Sequence, residues 1–126
     1  MNRIRFGAAL LIVLLILGLW ISSYMERTHF SQAHHLSRAA ELVMEGNWAG
    51  AESHTAIALR EWENSRRLTA ALSDHEPMDQ VEGFFSQLQS FARIRDAVSY
   101  SSACLYLACR LEALGKSHSL NPENLL

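Results

Sequence analysis

A run of twenty residues without a charged side chain, FGAALLIVLLILGLWISSYM at positions 6–25, limits the possible folds more than any other feature of the sequence. Twenty helical residues rise about 30 Å, which matches the hydrocarbon core of a bilayer. Trp20 and Tyr24 lie at the end of the run, where aromatic residues favour the membrane–water interface. The run therefore predicts a transmembrane helix, and residues 1–27 are interpreted as a short cytoplasmic stub and a membrane anchor.

Two other interpretations of this run compete with the anchor. A buried core helix is disfavoured, because a chain of 126 residues is too short to surround a helix that is apolar on every side. In a cleaved signal peptide, Arg3 and Arg5 would form the positive n-region. The apolar region is long for a signal peptide, however, and no small-x-small cleavage pattern follows it. The sequence favours an uncleaved anchor.

Basic residues near the ends of the span predict its orientation. Arg3 and Arg5 precede the span, whereas Glu26 and Arg27 nearly cancel after it. The positive-inside rule then keeps the N-terminus in the cytoplasm and places residues 28–126 outside as an extracytoplasmic domain. The predicted location is the cytoplasmic membrane, with a single pass.

The charge of residues 28–126 excludes two classes of partner. This part holds eight Lys and Arg against twelve Asp and Glu, a net charge of −4. An acidic domain offers no electrostatic surface for nucleic acid or for an anionic membrane. Cys104 and Cys109 lie five positions apart, too far for a bridge within one helix. They are expected to be small buried apolar residues, with intermolecular pairing as the alternative.

Beyond the anchor, apolar residues recur every three or four positions, which predicts an all-α fold. No glycine or proline lies between Leu19 and Glu45, so the first soluble segment is expected to continue the anchor helix. GNWAGA resembles the turn of tetratricopeptide-like helical hairpins. The expected architecture is an N-terminal transmembrane helix followed by a small antiparallel bundle of two repeat-like hairpins. Its predicted helical segments are 28–45, 48–73, 77–94 and 97–114.

Helix-capping residues mark the predicted ends of these segments. Gly46 is expected to end the first segment, and Asn47 to cap the second. Pro77 fits the first turn of the third segment, where its missing N–H costs nothing. Asp96 is the expected N-cap of the fourth segment, and Gly115 its C-terminal stop.

The stretch LSDHEPMDQVE, residues 72–82, is the densest cluster of chemically capable side chains. In a continuous helix, His75, Asp79 and Glu82 would share one face, and an imidazole with two carboxylates could hold Zn²⁺. Pro77 argues against a continuous helix, and acidic first turns are common as complements of the helix dipole. The sequence therefore favours a connection between helices. It predicts no cofactor and no metal, with these three residues as the candidate ligands if a site exists.

The order and spacing of these features resemble those of domain-of-unknown-function family 4363. Members of that family are small bacterial proteins with an anchor, a G-[DN]-W turn, a tryptophan-bearing helix, an H-x-E/D connection and a terminal N-[IL]-[LF]. In this sequence the features fall on Gly46, Asn47, Trp48, Trp62, His75, Asn124 and Leu125. The resemblance covers nearly the whole chain and implies a membrane-anchored helical protein, but no activity. Pro77 inside the acidic connection is a departure from the pattern.

Few residues suggest chemistry. No glycine-rich elbow or phosphate loop is present, so no enzyme is predicted. His34 and His35 are adjacent in a helix and point about 100° apart, with nothing near them in sequence that forms a site. Trp48 and Trp62 are fourteen positions apart and share a helix face, which indicates either core packing or an exposed aromatic groove that accepts a peptide or a partner helix.

The sequence thus predicts a non-enzymatic protein-interaction module at the outer face of a bacterial cytoplasmic membrane. Its partner is expected to be a protein of the membrane or envelope, contacted through Trp48, Trp62 and His75. The alternative is an envelope domain that binds a ligand or metal through His75 and nearby carboxylates. The oligomeric state is left open.

Overall fold

The structure is a computed structural model that describes residues 1–72 and 75–117, with side chains described at 1–71 and 78–116. It confirms the all-α fold, and its helices begin and end close to the predicted segments. Consecutive helices run antiparallel, and the last one closes the bundle against the first. The helices are α1 (Asn2–Met44), α2 (Trp48–Leu72), α3 (His75–Arg93) and α4 (Ala97–Ser117).

Helix α1 carries both the apolar run and the first helix of the bundle. It continues without interruption for 43 residues, about 65 Å of helix. One stretch of α1 is long and apolar enough to cross a membrane, and none of that stretch is buried inside the bundle. A core helix of a soluble protein would be buried there, so the core interpretation does not apply.

The turn between α1 and α2 forms as the glycine and asparagine predict. Gly46 adopts a left-handed backbone conformation with φ of 84°. Its N–H donates to the carbonyl of Val43 at 3.1 Å, and the N–H of Asn47 donates to the carbonyl of Leu42 at 2.9 Å, which is the Schellman pattern. The side-chain Oδ1 of Asn47 then accepts from the N–H of Gly50 at 2.9 Å and caps α2.

The turn between α3 and α4 repeats this pattern with different residues. Arg95 takes the left-handed position, with φ of 55°. The N–H of Arg95 donates to Ala92 and that of Asp96 to Phe91, at 3.2 and 3.0 Å. Asp96 caps α4 by accepting from the N–H of Ser99 at 3.1 Å, as predicted. The two hairpins therefore share one turn design.

The predicted stop at Gly115 is wrong, because α4 continues to Ser117. Gly115 is buried against α1 instead. A Cβ at this position would lie 3.3 Å from the Cβ of His29 and 3.5 Å from the carbonyl oxygen of Glu26. The glycine thus allows the backbones of α4 and α1 to approach closely.

The core is formed mainly where α1 meets α2 and α4. By contrast, α2 and α3 meet through only a few residues, so the bundle is open along that side. Polar side chains are buried beside the apolar core, among them Ser65 and Thr69, which donate to carbonyls of their own helix. The largest fully buried side chains include Trp62, Tyr100, Leu36, Leu107 and Leu111.

Candidate functional site: a cleft between helices α2 and α3

The open side of the bundle contains a cleft of about 470 Å³ between α2 and α3. Its floor is apolar: Phe85 and Leu88 are buried on α3, and Leu59 of α2 is partly buried opposite them. Ala56 and Ala92 contribute small side chains to the walls, which keeps the cleft wide. The cleft exists because α2 and α3 use few side chains to contact each other.

A hydrogen bond closes one end of the cleft. The hydroxyls of Thr55 and Tyr100 lie 2.9 Å apart, and this contact joins α2 to α4. Burial of the Tyr100 ring raises the pKa of its hydroxyl to about 12. The Tyr100 hydroxyl therefore stays protonated at neutral pH and acts as a structural donor or acceptor.

Charged residues form the rim at the same end. The Nη1 of Arg95 pairs with Oε1 of Glu52 at 3.1 Å. The Arg95 guanidinium also lies 4.9 Å from the centre of the Trp48 ring, close enough for a cation–π contact. Trp48 in turn meets Tyr100 edge-to-face, with ring centres 5.2 Å apart. Trp48 is partly buried and does not line the cleft itself, but it contacts the lining residues Arg95 and Tyr100.

A smaller recess of about 260 Å³ extends the cleft along the same two helices. It shares Leu59, Phe85 and Gln89 with the larger cleft, so the two form one groove. Among the residues that line this recess, Nε of Arg66 pairs with Oε1 of Glu82 at 2.9 Å and bridges α2 to α3. The groove thus runs between a charged rim at Arg95 and an ion pair at Arg66.

The second tryptophan has a different position. Trp62 is 1% exposed, and its ring lies 6.2 Å from that of His29 on α1. Of the two interpretations that its spacing allows, the structure supports core packing for Trp62. Trp62 fills the core beneath the groove and forms part of the lining of the smaller recess.

Helix α3 begins at His75, so the backbone carries the candidate metal ligands His75, Asp79 and Glu82 on one continuous helix, and the expected break at Pro77 is wrong. The side chain of His75 lies outside the described residues, and Asp79 is exposed on α3. Glu82 is engaged with Arg66 in the ion pair that bridges α2 and α3. Within 1–71 and 78–116, no group of three His, Cys, Asp or Glu side chains could hold a metal ion. The metal hypothesis at His75 stays a prediction.

Sequence reasoning missed a pair of histidines. His35 on α1 and His54 on α2 face each other with their Nδ1 atoms 2.9 Å apart, so one ring donates and the other accepts. Partial burial and then the positive charges of His35, Arg38 and His34 lower the pKa of His54. The signal lay in the Gly46–Asn47 turn, because antiparallel pairing from that turn brings the two histidines opposite each other.

The two cysteines also differ. Cys104 is fully buried, and burial raises the pKa of its thiol to about 12. Cys109 is exposed, so the expectation of two buried cysteines is wrong for this position. The difference arises because Cys104 belongs to the buried core cluster, whereas Cys109 lies on the exposed side of α4. Both are free thiols.

The described residues form an all-α bundle of four helices, one of which is long and apolar enough to cross a membrane. Residues 19–125 match the model of a protein family, the domain of unknown function DUF4363. The chain therefore belongs to the DUF4363 family, as its turn and tryptophan pattern indicated. No curated protein and no solved structure matches it.

Proposed function

We propose that this protein is a single-pass membrane-anchored, non-enzymatic interaction module. In this proposal the groove between α2 and α3 binds the apolar face of an amphipathic helix from another membrane or envelope protein. The observation that carries it is the groove itself, an apolar floor left uncovered on one side of an otherwise closed bundle.

The shape of the groove supports a helix as its occupant. Its walls are two antiparallel helices, α2 and α3, and side chains of a third helix pack into the spaces between such ridges. A fifth helix would cover Leu59 and fill the space left by Ala56 and Ala92.

The charges of the rim favour a particular charge at one end of the partner helix. Arg93 and Arg95 stand beside a single carboxylate, Glu52, at the end of the groove near Trp48. The excess positive charge favours a partner helix with an acidic residue at this end, which would approach Arg93.

Site-specific photo-crosslinking in intact cells tests the proposal. A photoreactive residue at Gln89 lies in the groove, whereas one at Gln87, exposed on the same helix, does not line it. We expect a specific adduct from position 89 alone, and mass spectrometry should map it to an amphipathic helix with an acidic end. Equal adducts from both positions would contradict the proposal.

Two variants in which an alanine of α2 is replaced by tryptophan provide a matched control. Ala56→Trp fills the groove, and Ala49→Trp places the same ring on an exposed part of α2 outside it. The adduct from position 89 should be lost in the first variant and kept in the second. An adduct that survives Ala56→Trp would show that the partner binds elsewhere.

The orientation in the membrane is part of the proposal, with the N-terminus inside and the bundle outside. Cys109 supplies a natural reporter, because it is exposed while Cys104 is buried with a raised thiol pKa. A membrane-impermeant maleimide should label intact spheroplasts once per chain, and Cys109→Ser should remove the label. Labelling that requires lysis would reverse the proposed orientation.

A further inference from the structure

A second recess lies where the apolar run of α1 ends. It measures about 450 Å³ and opens between α1 and α2. Because helical residues rise 1.5 Å each, the α1 residues of this recess span from about 7.5 Å inside the end of the run, at Trp20, to about 9 Å beyond it, at Ser31. That interval overlaps the headgroup layer of a bilayer in which residues 6–25 cross the hydrocarbon core. The lining residues are Trp20, Tyr24, Arg27, Thr28, Ser31, Glu61 and Asn64.

The recess holds one positive group that is fixed in place. The Nη2 of Arg27 donates to Oγ of Ser23 at 3.0 Å, and its Nε donates to the Ser23 carbonyl at 3.4 Å. These bonds use two of the five donors of the guanidinium. The planar arrangement of the guanidinium donors suits a phosphate group.

The recess also holds one negatively charged group, the carboxylate of Glu61. Oε1 of Glu61 accepts from the hydroxyl of Ser31 at 3.0 Å. Oε2 of Glu61 is buried and has no hydrogen-bond partner within the described residues. A buried carboxylate oxygen without a donor is unfavourable, so this atom would be stabilised by an N–H donor that carries positive charge.

Two aromatic rings complete the recess. Trp20 and Tyr24 stack with ring centres 6.0 Å apart and an angle of 16° between their planes. Both rings are exposed in the bundle, and aromatic faces attract ammonium groups. Both rings precede Arg27 on α1, so they line the recess on the side of the apolar run.

We infer that this recess binds the headgroup of an amine-bearing phospholipid, a phosphodiester joined to a primary ammonium. The phosphate pairs with Arg27, and the ammonium donates to Oε2 of Glu61. One positive and one negative residue in the recess match a zwitterionic headgroup. The acidic bundle, with a net charge of −4 over residues 28–126, disfavours an anionic lipid in its place.

Two other common phospholipid headgroups each lack a group that the recess would bind. A phosphocholine headgroup has no N–H donor for Glu61, and a phosphoglycerol headgroup has no cation. The inference rests on the proposed membrane anchor, because only the anchor brings the recess to the headgroup layer.

Lipid retention by the full chain tests the inference. The protein is reconstituted into nanodiscs of phosphatidylethanolamine, phosphatidylcholine and phosphatidylglycerol in equal amounts, extracted in mild detergent, and its retained lipids are measured by native mass spectrometry. Wild type should retain phosphatidylethanolamine about tenfold over either other lipid, as expected for a gain of about 1.4 kcal/mol.

Charge-neutral variants identify the two contacts. Glu61→Gln should abolish the preference for phosphatidylethanolamine over phosphatidylcholine, and Arg27→Gln should lower retention of all three lipids. Glu45→Gln at the C-terminal cap of α1 and Arg60→Gln on α2 make the same changes at exposed positions that line neither this recess nor the groove, and they should behave like wild type. Circular dichroism confirms that each variant is folded. Wild-type retention without lipid preference, or a preference unchanged in Glu61→Gln, would overturn the inference.

Two further experiments are needed. One distinguishes a lipid ligand from a soluble one, and the other tests the membrane anchor independently of the recess. Soluble phosphoethanolamine, titrated into the protein in detergent, should bind far more weakly than the lipid. Equal binding would overturn the assignment to a lipid and make the ligand a free solute. Flotation with liposomes measures anchoring by itself: a protein that floats but shows no headgroup preference disproves the recess alone, and a protein that fails to float disproves the anchor.

Discussion

The two helical hairpins, α1–α2 and α3–α4, are joined by turns with the same hydrogen bonds and a different residue at one position. Each turn is a Schellman motif whose last residue caps the next helix. In the first turn the left-handed position is Gly46, where an added Cβ would meet nothing within 4 Å. In the second turn the position is Arg95, which adopts φ of 55° despite its side chain.

The difference shows what decides the identity of a turn residue. The backbone requirement is the same in both turns and favours glycine. Arg95 accepts a strained conformation, and its side chain crosses to the first hairpin, where it contacts Trp48 and Glu52. The first turn only reverses the chain, whereas the second also ties the two hairpins together.

The largest effect is expected from a β-branched residue in the first turn. Gly46→Val should lower the free energy of unfolding by about 2 kcal/mol, because a left-handed backbone crowds the Cβ of any L-residue and a branched one most of all. Urea unfolding of the full chain in detergent, followed by tryptophan fluorescence, measures the loss. Gly46→Asn is the control and should lose much less. A neutral Gly46→Val would show that the strain argument fails.

The N-caps of the two hairpins come next. Asn47→Ala should cost about 1 kcal/mol, since Asn47 Oδ1 satisfies an N–H of the first turn of α2. Asp96→Ala should cost more, because its carboxylate accepts from both the N–H and the hydroxyl of Ser99. The same unfolding measurement ranks the two variants. The reverse order would mean that the hydroxyl contact contributes nothing.

Substitution of Arg95 separates strain from contact. Arg95→Gly removes the left-handed strain together with the contacts to Trp48 and Glu52, so the two effects should offset each other within about 0.5 kcal/mol. Arg95→Ala loses the same contacts and keeps the strain. It should therefore be less stable than the glycine variant by about 1 kcal/mol. Equal stability of the two variants would show that Arg95 is unstrained.

The smallest effects are pH-dependent and should fall in a different window for each hairpin. The pKa of His54 is lowered from 6.5 in the folded state, so the first hairpin should lose stability as pH falls below 6.5. Hydrogen bonds from Ser99 lower the pKa of Asp96 from 3.8, so the contribution of the second hairpin should persist until pH falls through that region.

Thermal melts of the full chain between pH 7 and pH 3 check both windows. His54→Gln should flatten the melting temperature near pH 6 and leave the acidic limb, and Asp96→Asn should do the reverse. The groups that face the His35–His54 pair are His34 and Arg38, both on α1 and both repelling added charge. A profile unchanged by His54→Gln would exclude the histidine pair as the cause.

Much of the fold was readable from local signals. Gly46, Asn47 and Asp96 marked helix ends because turns and caps depend on residues close in sequence. The helix end predicted at Gly115 was wrong, because this glycine allows close packing against Glu26 and His29, which lie far away along the chain. A glycine required by packing and one required by a turn look alike in a single sequence.

The sites were harder to predict because they depend on pairs of helices. The spacing of Trp48 and Trp62 placed both on one face of α2. Contacts with the other helices determine that Trp62 is buried against His29 of α1, whereas Trp48 is only partly buried against Tyr100 of α4. The groove arises from the poor contact between α2 and α3. Poor contact leaves no pattern in either helix, since Leu59, Phe85 and Leu88 look like ordinary core residues.

If the apolar run anchors the chain as proposed, the uninterrupted helix α1 determines how far from the membrane the groove lies. Leu59 is the residue of the larger cleft nearest the membrane end of α2, and it lies two residues from Glu61, which bonds to Ser31, so the larger cleft begins at about the level of Ala33. With residues 6–25 in a bilayer, that level is roughly 12 Å beyond the hydrocarbon core. A partner held in the same membrane would search for the groove in two dimensions at a high effective concentration, and an affinity that is weak in solution would be sufficient.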